Sequence, residues 1–454
     1  MITVDDARAK LTAHDQQQVL RFFEQLDDAG KARLLADIEA LDLDWLARVF
    51  AHTIDKVNPA DIAPYEDVVR VGADDEADAI ARGEEALRAG RVGVLLVAGG
   101  QGTRLGFDGP KGDFPVGAVS NRTLFELHCA RLCALGQRYG VVPPLYLMTG
   151  PSNHEDTLAI FERGARYGMP EDRLMIFQQG TAPCVDERGK LLLDAPDHIA
   201  CSPNGNGGLF AAMRDSGAFA HMRSCGVEHI SYIQVDNALA QSADPRFVGY
   251  HLARESQFSC KAMPKADPME KVGQFTNVRG RLAVVEYTEI PEDLARERRA
   301  DGELRIGWGN PGIFMWSRRF AEAQADRADL PFHKAHKKIP HLDDAGTLVE
   351  PSTPCGYKLE AFAFDTLDQA ERSLILACER DAEFAPVKNK DGVDSPASAR
   401  ALMTKLYRGW IEAAGGRVSG EGPIEIDARY ALDAGELRSK LGESFETSGD
   451  LYLK

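Results

Sequence analysis

The chain has 454 residues, 44% hydrophobic and 27% charged, with 53 Lys and Arg against 70 Asp and Glu for a net charge of −17. That length exceeds one hydrophobic core and predicts two or three domains, and no apolar run approaches the roughly 20 residues that span a bilayer. The acidic balance argues against a nucleic-acid surface; neither membrane attachment nor a protein partner is implied, and the N-terminal run MITVDDARAKL has no signal-peptide core, so a cytoplasmic location is expected.

Residues 1–88 read as helical, with Leu35, Ile38, Leu41 and Leu43 marking an apolar stripe and Asn58-Pro59 and Ala63-Pro64 breaking it. They form an N-terminal helical extension with no visible chemistry. From about residue 90 strand and helix patterns alternate. Strands are expected near 92–98, 145–149, 174–177 and 229–235, and helices near 122–139, 154–166 and 207–222. That alternation predicts an α/β fold with a mainly parallel central sheet covered on both faces, over residues 89–384. Residues 385–454 form a small C-terminal domain with a helix near 395–413. The eight cysteines include no C-x-x-C pair, and Cys129 and Cys133, one helical turn apart, read as buried thiols.

The most informative stretch runs from Val92 to Gly112. A continuous apolar run, Val92 to Ala98, ends in Gly99-Gly100-Gln101-Gly102-Thr103-Arg104-Leu105-Gly106 and closes with Pro110-Lys111-Gly112. Small residues let backbone amides approach a ligand closely, and Arg104 and Lys111 add fixed positive charge. The set suits a nucleoside triphosphate whose phosphates are to be attacked. A Walker loop is excluded because Lys111 is followed by Gly112 and Asp113 rather than Ser or Thr. A dinucleotide fingerprint is excluded because Leu105 stands where its third glycine belongs.

Other residues are weaker signals taken one at a time. Asp236, at the end of a strand pattern, suits Mg²⁺ or a turn cap. Gln178-Gln179-Gly180 follows a short strand; an amide there can read a pyrimidine edge or simply be solvated. In Ser202-Pro203-Asn204-Gly205-Asn206-Gly207-Gly208, Gly205 can lie against a base or sugar and Asn206 can both donate and accept. Glu286, Tyr287 and Asn310 suit sugar hydroxyls. Lys358 and Lys388 are further cations, or solvated lysines. His333, His336 and His341 read as polar surface beside Lys334, Lys337 and Lys338.

Taken together in order, these segments resemble the eukaryotic-type UDP-N-acetylglucosamine pyrophosphorylases, within the wider UDP-sugar pyrophosphorylase group. The matching runs are AGGQGTRLG and PKG within 98–112, QQG at 178–180, PNGNGGL at 203–209, VDN and ADPRF within 235–247, VVEYTEI at 284–290, GN at 309–310, KKIP at 337–340, GYKLEAFAFD at 356–365 and EFAPVKN at 383–389. The resemblance implies a Rossmann-like nucleotidyltransferase domain over 89–384 that makes a UDP-sugar and pyrophosphate from UTP and a sugar 1-phosphate. N-acetylglucosamine 1-phosphate is the expected sugar, with glucose or N-acetylgalactosamine 1-phosphate as the nearest alternatives. It implies that Val97, Ala98, Gly99, Gly100, Gln179 and Gly205 hold uracil, and that Arg104, Lys111, Lys358 and Lys388 serve the phosphates as the catalytic cations. Asp236 would hold Mg²⁺ or Mn²⁺, with Asp365 a second ligand, and Asn206, Glu286, Tyr287 and Asn310 would hold the sugar. The chain departs from the family pattern at Asn204, where an aspartate is usual, at Gln274-Phe275-Thr276, and at Pro311-Gly312-Ile313-Phe314 after Asn310.

Overall fold

A computed structural model describes residues 2–51, 57–327, 331–442 and 445–454. The chain gathers into two units, one made of Met1–Lys56, Gln179–Leu209 and Arg327–Asp365, the other of Val57–Gln178, Phe210–Asp326 and Thr366–Lys454.

The larger unit is built on one sheet. Among the described residues its twelve strands are β1 Ile62–Pro64, β2 Val68–Val69, β3 Val92–Ala98, β4 Leu145–Thr149, β5 Leu174–Gln178, β6 His229–Gln234, β7 Phe258–Pro264, β8 Gln274–Val278, β9 Arg281–Val285, β10 Trp308–Gly309, β11 Phe314–Ser317 and β12 Ser373–Ala377. The main path runs β1-β8-β10-β7-β11-β6-β3-β4-β5, with β9 on β8, β12 on β7 and β2 on β12. β6, β3, β4 and β5 are mutually parallel, as the alternating pattern predicts. β11 runs antiparallel to both β6 and β7 and introduces the mixed pairing of the far half. All but one residue of β3 is buried, which is why its sequence is continuously apolar rather than alternating. Strand order grows from β3 toward β5 on one side and restarts with β6 on the other. This makes the carboxyl end of β3 a topological switch point, where open α/β sheets leave a crevice for ligands.

Helices Leu124–Tyr139, His154–Arg163 and Pro396–Ala413 form where expected. The first opens on a capping box, Thr123 with Glu126, and stops at Gly140, which adopts the left-handed conformation. The helix expected over 207–222 is two, Leu209–Asp215 and Ala218–Ser224, because Gly217 between them is left-handed.

The division at residues 88 and 384 takes a different form from the one expected. Residues 57–88 belong to the sheet unit, which they join through β1, β2 and helix Glu76–Arg88. Strands of two or three residues carry no periodicity that a sequence reading could use. The C-terminal stretch lies in the same unit but has its own small core of Ile411, Ile424, Ile426, Ala431 and Leu437.

The smaller unit buries Ala7, Leu11, Val19, Leu34, Ile38, Leu43 and Leu46 against Ala182, Val185, Leu191, Leu193, Ile199 and Leu359. The N-terminal stripe is thus split over two helices, Asp28–Ala40 and Leu43–Ala51. These helices pack on Ala182 and Leu359, close in sequence to Gln179 and Lys358.

In the larger unit, helix Glu76–Arg88 and helix Pro245–Ala253 touch backbone to backbone. A Cβ on Gly83 would sit 1.8 Å from the Pro245 carbonyl oxygen, and one on Gly249 would sit 1.6 Å from that of Ala79. Gly83→Ala should therefore force the pair apart and cost about 1–3 kcal/mol or more. Denaturant unfolding of both proteins checks this; an unchanged midpoint and slope would contradict the tight crossing.

Candidate functional site

The residues singled out in the sequence fall into two groups, one in each unit. In the larger unit the loop after β3 is held by its own backbone: Gly102 N–H donates to Gly109 O at 2.9 Å and Lys111 N–H to Gly100 O at 3.1 Å. From outside the loop, the buried Asn153 side chain donates to Ala98 O at 2.8 Å and Gly100 O at 3.1 Å. The amide of Asn153 thus sets the path of the backbone from Ala98 to Gly100. Val97 and Gly99 are half-buried and Gly100 is exposed, so the chain surfaces where the glycines begin.

β3 and β6 pair in parallel with Val97 opposite Gln234. The glycine-rich loop after β3 and Asp236 therefore leave the sheet side by side. Lys111 closes the gap: its Nζ donates to Asp236 Oδ2 at 3.1 Å, with the two side chains only 16% and 14% exposed. Arg104 is exposed and has no ion-pair partner among the described residues, which leaves its guanidinium available for a ligand. Lys388 joins the same edge because Val387 N–H donates to Asp236 O at 2.8 Å. Its Nζ lies 3.8 Å from Asp394 Oδ2 and 5.5 Å from the centre of the Phe384 ring.

Glu286 and Asn310 meet at Gly273. Asn310 N–H donates to Gly273 O at 2.8 Å, and a Cβ on Gly273 would lie 3.2 Å from Glu286 Oε1. Tyr287 is exposed in the turn that follows β9. The departure noted at Gln274-Phe275-Thr276 is β8 itself, with Gln274 opposite both Val285 and Gly309.

In the smaller unit, Gln179 is buried, and its amide donates to Asn204 Oδ1 at 3.2 Å and to Gly205 O. Gly205 has φ +81°, and a Cβ there would fall 2.2 Å from Ala361 O, so no other residue fits. Ala361 also bonds the loop on both sides, donating to Asn204 O at 2.9 Å and accepting from Gly207 N–H at 2.8 Å. Strand Gly356–Glu360, which carries the half-buried Lys358, leads directly into Ala361. Asn206 Oδ1 accepts from Ala363 N–H at 2.9 Å. The structure therefore brings Gln179, Gly205, Asn206 and the Lys358 strand into one cluster, with Asn204 at its centre.

For a divalent cation, Asp236 is the fitting donor. It is one carboxylate beside a loop of backbone amides, and Mg²⁺ binds through one or two carboxylates while keeping waters and phosphate oxygens. Asp365 is committed locally: its Oδ2 accepts from Phe362 N–H at 3.0 Å and lies 2.9 Å from His333 Nε2. Among the described residues there is no cluster of three or more His, Cys, Asp or Glu side chains suited to a metal.

Three supporting residues escaped the sequence reading: Asn153, His128 and Asn237. Each is a buried polar side chain bonded to the backbone of a site segment; Asn153 and His128 lie outside the matching runs, and Asn237 is the last residue of VDN. His128 Nε2 is 3.0 Å from the carbonyl of Val235, the residue before Asp236. Of the two cysteines one helical turn apart, Cys129 is buried and Cys133 half-buried, and burial pushes both thiols up, which favours their neutral form.

An amide-lined loop, a lysine and a carboxylate at a switch point define an α/β protein of the nucleotide-binding type. The profile of the UTP–glucose-1-phosphate uridylyltransferase family matches residues 45–407. The chain is 33% identical over 463 residues to UDP-N-acetylglucosamine diphosphorylase 2 of Arabidopsis thaliana, covering 96% of this chain and 90% of that one. It is 32% identical to UDP-N-acetylglucosamine pyrophosphorylase of Saccharomyces cerevisiae over 98% of this chain and 95% of that one. The crystal structure of the Trypanosoma brucei uridine diphosphate N-acetylglucosamine pyrophosphorylase in complex with an inhibitor superposes with a TM-score of 0.83 at 27% identity, covering 100% of this chain and 98% of that one. The chain belongs to the UTP–glucose-1-phosphate uridylyltransferase family.

His128 gives the site a pH signature. Burial holds its ring well below the ordinary 6.5, at about 4, against the opposing pull of the Val235 carbonyl. The unfolded chain takes up this proton first, so the stability His128 contributes is complete above about pH 6.5 and is lost as pH falls toward 4. Between pH 6.5 and 5 the wild type should lose about 2 kcal/mol more than His128→Gln. Unfolding free energies of both proteins at the two pH values measure it; equal losses would mean that His128 is not held neutral.

Proposed function

We propose that this chain is a uridylyltransferase that makes UDP-N-acetylglucosamine and pyrophosphate from UTP and N-acetylglucosamine 1-phosphate. The observation that carries the reaction is the Lys111–Asp236 pair at the joint end of two parallel strands, beside a loop of backbone amides, in a member of this family. The choice of sugar follows the relatives, which are named for UDP-N-acetylglucosamine and UDP-N-acetylhexosamine.

An oxygen of the sugar phosphate attacks the α-phosphorus of UTP. The bond to the bridging oxygen breaks and pyrophosphate leaves with the electron pair. The attacking phosphate is already an anion at neutral pH, so no general base is required. What the protein must supply is alignment and positive charge. Arg104, Lys111 and Lys388 serve this in the larger unit, and Lys358 in the smaller one. The amides of Val97 to Gly100, with Gln179 and Gly205, hold the base. Glu286, Asn310, Tyr287 and Asn206 hold the sugar. A bound Mg²⁺ or Mn²⁺, held by Asp236, would neutralise phosphate charge. Asp365 is the second proposed metal ligand; its Oδ2 already accepts from Phe362 N–H at 3.0 Å. No helix among the described residues is long and apolar enough to cross a membrane, and a cytoplasmic setting is part of the same proposal.

Pyrophosphate release from UTP against a panel of sugar 1-phosphates tests the activity. N-acetylglucosamine 1-phosphate should give the highest kcat/KM, and Lys111→Ala should lower turnover about 10²–10³-fold in a folded protein. No release with any sugar, or wild-type turnover in the variant, would overturn the assignment.

Gln179 carries a second expectation. Uracil presents an N3–H donor and an O4 acceptor where cytosine presents the reverse. A buried site matched to one leaves groups unpaired with the other, at about 1–3 kcal/mol per group. Gln179→Ala should raise the KM for UTP and narrow the UTP/CTP ratio of kcat/KM, with less effect on the sugar phosphate. An unchanged ratio would remove Gln179 from base recognition.

A further inference from the structure

Lys261 stands in the middle of β7, and its side chain is completely buried. Its Nζ donates to Asp244 Oδ2 at 2.7 Å and is paired with the Glu383 carboxylate, while the Phe247 ring centre lies 5.5 Å away. Burial works against the charge, but Asp244 and Glu383 outweigh it and raise the ammonium above its ordinary value, so it stays protonated. Arg246 extends the cluster, with Nη1 3.5 Å from Glu76 and Nη2 3.8 Å from Glu383. A buried ionic group of this kind is a poor way to gain stability compared with apolar packing. What it does well is allow one arrangement of the segments that meet in it and penalise the rest.

The segments that meet here lead to the proposed catalytic edge. The carbonyl of Glu383 accepts from Asn237 Nδ2 at 2.8 Å. Asn237 Oδ1 accepts from Ala385 N–H at 2.9 Å, and Ala238 N–H donates to Ala385 O at 3.2 Å. Val387 N–H then donates to Asp236 O at 2.8 Å. Residues 385–387 are thereby laid along 236–238, and the next residue is Lys388. On the other side of the cluster Asp244 also caps helix Pro245–Ala253, accepting from Arg246 N–H at 3.0 Å.

We propose that Lys261, with Asp244 and Glu383, is a positioning residue for uridylyl transfer: the buried cluster anchors residues 383–388 and, through Asn237, sets Lys388 beside Asp236. The proposal rests on the roles given above to Lys388 and Asp236. None of the three clustered side chains is more than a tenth exposed, so none serves the substrate directly.

The test is a double-mutant cycle on the full-length protein, with hydrogen exchange as an independent readout. Lys261→Met should lower kcat about 10–100-fold, the scale of a misplaced catalytic group, with the KM for UTP changed less than about threefold. In a Lys388→Ala background the same substitution should cost less than about threefold, because the group it positions is gone. In an Arg104→Ala background it should keep its full effect. Glu383→Gln, which keeps an acceptor and is gentler on folding, should follow the same pattern with a smaller loss, and it carries the cycle if Lys261→Met does not fold. The amides of Ala385 and Val387 should exchange faster in either variant while those of Val94 to Leu96 do not change. Equal losses in the Lys388→Ala and wild-type backgrounds, or unchanged exchange at Ala385 and Val387, would overturn the proposal. A wild type that transfers no uridylyl group would instead overturn the functional reading, and the exchange measurement would still decide whether the cluster anchors the segment.

Discussion

The parallel, in-register pairing of β3 with β6 is the constraint on which the larger unit's chemistry depends. With Val97 opposite Gln234, the chain emerges from both strands at one level. The amides of the glycine-rich loop, Lys111 and Asp236 share an edge for that reason, and the 3.1 Å Lys111–Asp236 contact is its direct product. The pairing is stable because β3 is buried along nearly its whole length and tolerates only apolar or very small residues. A slip of the pairing by one residue would exchange the faces of every side chain on the strand and separate the loop from the carboxylate.

Around that edge the protein spends its buried polar groups. Asn153 holds the loop backbone, His128 the carbonyl before Asp236, and Asn237 the segment that carries Lys388. Each would be costly in an apolar core without its partner, and each is satisfied by backbone at the site rather than by a structural element elsewhere. The Lys261 cluster is the extreme case, charged and completely enclosed. Polar residues in a core depart from the simplest packing rules, and such departures concentrate at functional positions.

The smaller unit solves a different problem by other means. Its two five-residue strands, His333–Lys337 and Gly356–Glu360, are polar and only partly buried. Its loop conformation instead comes from Gly205 held in the left-handed region and from Ala361, whose backbone bonds the loop on both sides. The N-terminal helices complete its core by covering Val185, Leu191 and Leu193 with Leu11, Leu34 and Ile38. Residues with no chemistry of their own are thus part of what keeps Gln179 and Lys358 in place.

Local patterns in the sequence determined the elements and where they end. A buried strand must be continuously apolar, small residues end it in a loop, and a capped helix shows its box; β3, the glycine-rich loop after it and the Leu124–Tyr139 helix were legible for those reasons. The parallel strands followed from the alternation of elements. Legibility failed wherever the controlling contact joins residues far apart in the chain. The two-residue strand Val68–Val69, the return of residues 1–51 to the unit of Gln179, and the placement of Glu383 on Lys261 leave no periodicity or spacing to read. Asn153 and His128 look like any polar residue in sequence, and Asn237 shows only as the last residue of VDN; only a backbone carbonyl or amide arriving from a remote segment gives each its role, and that arrival is decided by the tertiary fold.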